Sequence, residues 1–151
     1  MTHVELGRQV AVPADEVWAM LADHACWPDW SGFDSVDVLR SSRRAETRLI
    51  TSGDAQVREL IRLDAVRRRF AYRHLDGLPV RYYAGEVTLT ANRHGTTIDW
   101  RAEIDPLDSR SGAIVGVLGQ VLERAIDGLA EAAEARWQKT GFSARCATAR
   151  R

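Results

Sequence analysis

The rhythm of apolar and polar positions changes once along the chain. From Ala45 to Ile104 apolar residues recur at every second position in short runs, which is the period of half-buried strands. From Ser109 to about Lys139 they recur every three to four positions, the period of one long amphipathic helix. Before the runs, Val4–Val12 alternates as a first strand, and Pro13, which cannot donate to a ladder, stops it. Asp15 and Glu16 favour a helix start, and Val17, Trp18 and Leu21 give the buried stripe of a short helix over Ala14–Asp23. Trp27-Pro28-Asp29-Trp30 reads as a second short helix or turn. Strands follow at Ser35–Arg40, Glu46–Thr51, Gln56–Asp64, Arg69–Leu75, Arg81–Ala91 and Thr96–Asp105. Ser52-Gly53-Asp54, Asp76-Gly77-Leu78-Pro79 and Asn92-Arg93-His94-Gly95 supply tight turns, so consecutive strands pair antiparallel. Asp105-Pro106 ends the last strand, and Ser109 is the expected N-cap of the long helix. The predicted class is α+β, a curved antiparallel sheet of about seven strands wrapped around a long C-terminal helix. Residues 1–139 form one domain, and 140–151, with little apolar pattern, are set apart as a flexible tail.

Period two assigns faces. Val57, Glu59, Ile61 and Leu63 share one side, as do Phe70, Tyr72 and His74. So do Tyr83, Gly85, Val87 and Leu89, and then Thr96, Ile98, Trp100, Ala102 and Ile104. Arg58, Arg62, Arg73, Glu86, Asp99, Arg101 and Glu103 lie on the opposite side and belong in water. Glu59, Tyr72, His74, Tyr83 and Trp100 therefore point inward. The face of strand 46–51 stays open, so Arg48 is a candidate without an assigned side. On the long helix Ile114, Val117, Leu118, Val121, Leu122, Ala125 and Leu129 fall on one side. Gly112, Gly116 and Gly119 fall on the other and weaken its first half, each by ~1 kcal/mol relative to alanine. Gly128 falls on the inner side, where it is expected to leave space. A sheet curled round one helix is not filled by that helix, and the remainder is an internal pocket for a small molecule.

Bulk properties narrow the classes. A net charge of zero over 151 residues argues against nucleic acid as partner. No stretch approaches the ~20 apolar residues of a membrane span, so no stable membrane insertion is expected. Cys26 and Cys146 match no metal spacing, and two lone thiols without a leader segment fit a cytoplasmic protein. His3, His24, His74 and His94 form no ligand set by spacing. There is no nucleophile elbow, phosphate loop or metal cluster, so neither a cofactor nor a metal is expected. A monomer or a homodimer fits equally.

Each candidate residue has a chemical and a structural reading. Glu59, on an inward face, is a candidate general acid or base, or simply the partner of an arginine such as Arg48. His74, next to the Asp76-Gly77 turn, is a candidate proton carrier or a rim histidine. Tyr72 and Tyr83 offer hydroxyls to a ligand carbonyl or serve as core aromatics. Trp27, Trp30 and Trp100 stack on a flat ligand or pack the core, and Trp27 and Trp30 are expected to flank the pocket opening. Ile114, Leu118, Val121 and Leu122 are candidate apolar walls.

The element order is that of the helix-grip fold. Val12-Pro13-Ala14-Asp15-Glu16-Val17-Trp18, followed by Trp27-Pro28-Asp29-Trp30, resembles the opening of the START-like superfamily, which contains the Bet v 1-like proteins. Val57-Arg58-Glu59-Leu60-Ile61, Arg68–Arg73, Gly85–Thr90 and Trp100-Arg101-Ala102-Glu103 continue a resemblance to its polyketide cyclase/dehydrase and lipid-transport branch, over about Val4–Trp137. The resemblance implies binding of an apolar or aromatic molecule, lipid or polyketide-like. It also implies a cofactor-free cyclase or dehydratase, in which Glu59 or His74 moves protons and Tyr72 or Tyr83 polarises a carbonyl. A third reading is an interaction module that docks through the glycine-bearing helix face.

Overall fold

The computed structural model describes the backbone of residues 1–149 and the side chains of residues 1–139. The tail set apart at 140–151, with Cys146, therefore falls beyond the fully described residues. Seven strands form one antiparallel sheet: β1 (Thr2–Val10), β2 (Ser35–Ser41), β3 (Glu46–Ser52), β4 (Ala55–Asp64), β5 (Arg69–Asp76), β6 (Val80–Asn92) and β7 (Gly95–Pro106). Their order is β1-β7-β6-β5-β4-β3-β2, so only the first strand leaves sequence order, crossing to pair with the last. Helices α1 (Ala14–Ala22) and α2 (Trp27–Ser31) fill that crossing, and α3 (Ala113–Ala149) lies against β1, β7, α1 and α2.

Alternation decides which face is dry. Ile50, Val57, Ile61, Phe70, Val87, Leu89, Ile98, Trp100 and Ile104 are all buried, and they share one side of the sheet. Leu118, Leu122, Ala125, Ile126, Leu129 and Ala133 of α3 complete one continuous core with them. Trp18 is half-buried and packs against that core. Arg58, Arg62, Arg73, Arg101 and Glu103 lie exposed on the other side, as period two requires.

Three details differ from the sequence reading. The cap before α3 is Asp108, not Ser109: its Oδ1 accepts from the backbone N–H of Arg110 and Ser111 at 2.9 and 3.0 Å, closing a 3-10 turn over Ser109–Ser111. Val117 is exposed, because α3 turns Leu118, Leu122 and Ile126 onto the core instead. Gly128 leaves no empty space. A Cβ there would lie 1.8 Å from the Trp30 carbonyl oxygen, so the backbone of α2 fills the site and glycine is what lets the two helices meet.

Candidate functional site

β3 presents Glu46, Arg48 and Ile50 inward, which settles the open face. Arg48 pairs across the ladder with Glu59, and Glu59 pairs across the next with His74. This places a cation, a carboxylate and an imidazole in one row on the dry face. Arg48 and Glu59 are 1% and 4% exposed. The guanidinium donates from Nε at 3.0 Å and from Nη2 at 2.9 Å, both to Glu59 Oε1. It lies 4.0 Å from the Trp27 ring centroid and 5.0 Å from that of Phe70, so aromatic faces cover what the carboxylate does not. Two charges removed from water hold there because they are paired.

His24, which the sequence reading passed over, closes the cluster. It sits in a 3-10 turn at His24–Cys26, is buried, and its Nδ1 is 3.4 Å from Arg48 Nη1. Arginine has only donors, so Nδ1 is the acceptor and the ring proton is on Nε2. Nε2 lies 3.5 Å from Glu46 Oε1 without a hydrogen bond. Burial, then the adjacent Arg48 charge, lowers the pKa of His24, against an opposing pull from Glu46.

His74 occupies the end of β5, half-buried. Its Nε2 accepts the backbone N–H of Leu78 at 3.1 Å. The ring is therefore neutral at that nitrogen and fastens the β5–β6 turn. Burial lowers its pKa, against the raising fields of Glu59 and Asp76.

The next rows carry the hydroxyls. Tyr72 and Tyr83 are buried with their oxygens 2.9 Å apart, and Trp100 Nε1 donates to the Tyr72 oxygen at 3.0 Å. Burial pushes both phenols well above their ordinary pKa, so both stay protonated. Only one of the two phenolic protons can lie between the two oxygens, and the other remains to be donated. The Tyr72 ring lies over Gly85, its partner on β6: a Cβ there would sit 2.2 Å from the ring.

Trp27 is at the centre of the core and does not flank an opening. Its Nε1 donates to the Leu21 carbonyl at 2.8 Å. Its ring is 4.4 Å from Trp30, 5.1 Å from Phe70 and 6.1 Å from Trp100. Trp30 is 5% exposed, and its Nε1 is buried with no hydrogen-bond partner among the described residues. Leu118 and Leu122 face these rings from α3, Ile114 is half-buried against the same core, and Val121 is half-buried outside it. The structure thus gathers Trp27, Arg48, Glu59 and His24 in one cluster, and Tyr72, Tyr83 and Trp100 in another, joined by the Trp27–Trp100 contact. Open depressions mark the outside. One of about 490 Å³ lies over β1, β5, β6 and β7, lined by His3, Arg69, Ala84 and Arg101. One of about 680 Å³ lies between α2 and α3, beside Arg124 and Gly128.

Solved structures share this architecture. An aromatase/cyclase, Zhui from Streptomyces sp. R1128, superposes with a TM-score of 0.79 at 21% identity, over 89% of this chain and 94% of that one. The protein XoxI from Bacillus cereus gives 0.75 at 15% identity, over 87% and 95%. The di-domain ARO/CYC StfQ from the steffimycin biosynthetic pathway gives 0.68 at 22% identity, over 92% of this chain and 46% of that one. At these identities the likeness establishes the helix-grip fold. A search of curated proteins finds no match. The family model described as polyketide cyclase / dehydrase and lipid transport matches residues 1–134. The chain belongs to that family.

Proposed function

We propose that this chain binds an apolar, ring-bearing small molecule between the sheet and α3. The observation that carries the reading is a surplus of interior donors. His24 Nε2 and Trp30 Nε1 have no hydrogen-bond partner among the described residues, and one phenolic proton of the Tyr72–Tyr83 pair is unspent. A buried donor without an acceptor costs about 1–3 kcal/mol. A ligand with carbonyl or ether oxygens supplies the acceptors, and the rings of Trp27, Trp30 and Trp100 supply stacking faces. Arg48 is already neutralised by Glu59, so the interior suits a neutral ligand better than an anion. Entry in this reading is past the first half of α3, the half that Gly112, Gly116 and Gly119 weaken. The family description, with its cyclases and lipid carriers, supports the same reading.

A second reading, cofactor-free cyclisation or dehydration, has its own observation. Arg48 Nε and Nη2 both converge on Glu59 Oε1, which leaves Oε2 without a hydrogen bond among the described residues. Glu59 is close enough to Tyr72 and Tyr83 for its charge to act on both. A carboxylate oxygen without a hydrogen bond, in the same interior as a phenolic donor, suits proton transfer to and from a folded poly-ketone. His74 is a weaker base in this reading, because its acceptor nitrogen holds the Leu78 N–H.

Native mass spectrometry of the purified protein, followed by denaturing extraction, tests the binding reading. A retained neutral ring compound or lipid is expected. Incubation of poly-ketone substrates then separates the readings: product above background that disappears in Glu59→Gln, at a temperature where thermal unfolding shows that variant still folded, identifies turnover, whereas retention without product identifies a carrier.

A further inference from the structure

One end of the sheet combines a cluster of arginines with exposed aliphatic side chains. Ser41 pairs with Glu46 and Glu46 with Ile61, so the β2–β3 turn continues alongside Arg62–Asp64 and next to the β4–β5 turn. The two turns are therefore neighbours at the same edge. Residues 38–45 and 62–68 hold six arginines against one carboxylate, Asp64, in a chain whose net charge is zero. Arg40, Arg43, Arg44 and Arg62 make no ion pair among the described residues, while Arg67 lies near Asp64 and Arg68 bonds to Asp15. Aliphatic side chains stand among them. Val66, at the tip of the β4–β5 turn, is 93% exposed, and Val38, Leu39 and Leu63 are exposed too. The register shifts at Leu39, between Val38 and Arg40. Arginine on an edge strand discourages strand pairing, but that does not require bare aliphatics beside it.

We propose that this end of the sheet docks on an anionic lipid surface. Arginine forks grip phosphate groups, and short aliphatic side chains on protruding turns reach the layer just below the headgroups. A bilayer fits better than a protein or a nucleic acid. The patch is two turns with the strand ends that lead into them, and its exposed apolar side chains are aliphatic, with no aromatic ring to stack on a base. The inference is independent of the interior ligand, although docking would bring the protein to a source of apolar molecules.

The test is co-sedimentation of the whole chain with vesicles of phosphatidylcholine alone and of phosphatidylcholine mixed with phosphatidylglycerol. Binding to the mixed vesicles only, weakened by added salt, is expected. Arg43→Glu together with Arg44→Glu should lower it about tenfold or more. Val66→Asp should also weaken it. All three side chains are exposed, so thermal unfolding of the variants should match the parent and serves as the folding control. Failure to bind mixed vesicles overturns the proposal, as does equal binding to phosphatidylcholine alone. Heparin binding stronger than vesicle binding, with Val66→Asp indistinguishable from the parent, overturns it in favour of a soluble polyanionic partner.

Discussion

Arg48 and Glu59 set the chemistry of the interior because neither charge has water to retreat to. Removing one partner strands the other. Glu59→Gln should cost about 3–5 kcal/mol in denaturant unfolding, whereas Arg48→Met with Glu59→Leu should come close to the parent, since the charges leave together. Equal losses in the single and double variants would show that the pair is not the unit. His24 and His74 add a pH dependence of defined sign. Both have pKa values lowered from 6.5, mainly by burial. The unfolded chain therefore takes up protons first as the pH falls. The stabilisation is fully present above 6.5 and is lost as the pH drops from there toward the lower folded values. Protonated His74 also loses its bond from Leu78. Melting temperature should fall between about pH 7 and about pH 5.5, and His24→Gln with His74→Asn should flatten that slope. An unchanged slope would contradict the assignment. Much of this row was legible in the sequence: alternation alone aims Glu59, Tyr72, His74 and Tyr83 inward. Arg48 was not, because β3 places Glu46 and Arg48 on the dry face and Leu49 on the other, which defeats an apolar pattern. His24 lies in a three-residue turn with no periodicity to read.

Among the elements, α3 carries the clearest contrast. Gly116 and Gly119 face open space, and Gly128 touches the α2 backbone. Gly116→Ala and Gly119→Ala should each stabilise the protein by up to ~1 kcal/mol, the propensity difference. Gly128→Ala should destabilise it by about 1–3 kcal/mol despite the same propensity gain, because overpacking at Trp30 outweighs it. Thermal unfolding of the three variants reads both signs, and a stabilised Gly128→Ala would refute the helix contact. If α3 gates entry, the two stabilising variants should also slow ligand uptake. The sheet was legible because period two repeats through β4–β7. The long helix was legible in existence and in most of its inner face. Val117 and the cap were not: the helix's angle on the sheet decides which flank is dry, and Asp108 and Ser109 are both capping residues in adjacent positions.

At the scale of the molecule, the fold is a sheet that closes over a core containing two polar clusters. Sequence reasoning expected that space to be a pocket lined by separate residues. In the structure the same residues meet one another, and the unspent donors mark where a ligand would complete the interior. The five indole N–H groups report on that claim directly. Trp27 is bonded to Leu21 and Trp100 to Tyr72, whereas Trp30 has no partner among the described residues. The decisive measurement is a proton–nitrogen NMR titration of the indoles with 1-acetonaphthone, a flat fused-ring ketone. A saturable shift of the Trp30 signal is expected, with smaller shifts of Trp27 and Trp100 and still signals for Trp18 and Trp137. Unmoved Trp27, Trp30 and Trp100 signals up to the ketone's solubility, or movement confined to Trp18 and Trp137, would contradict it.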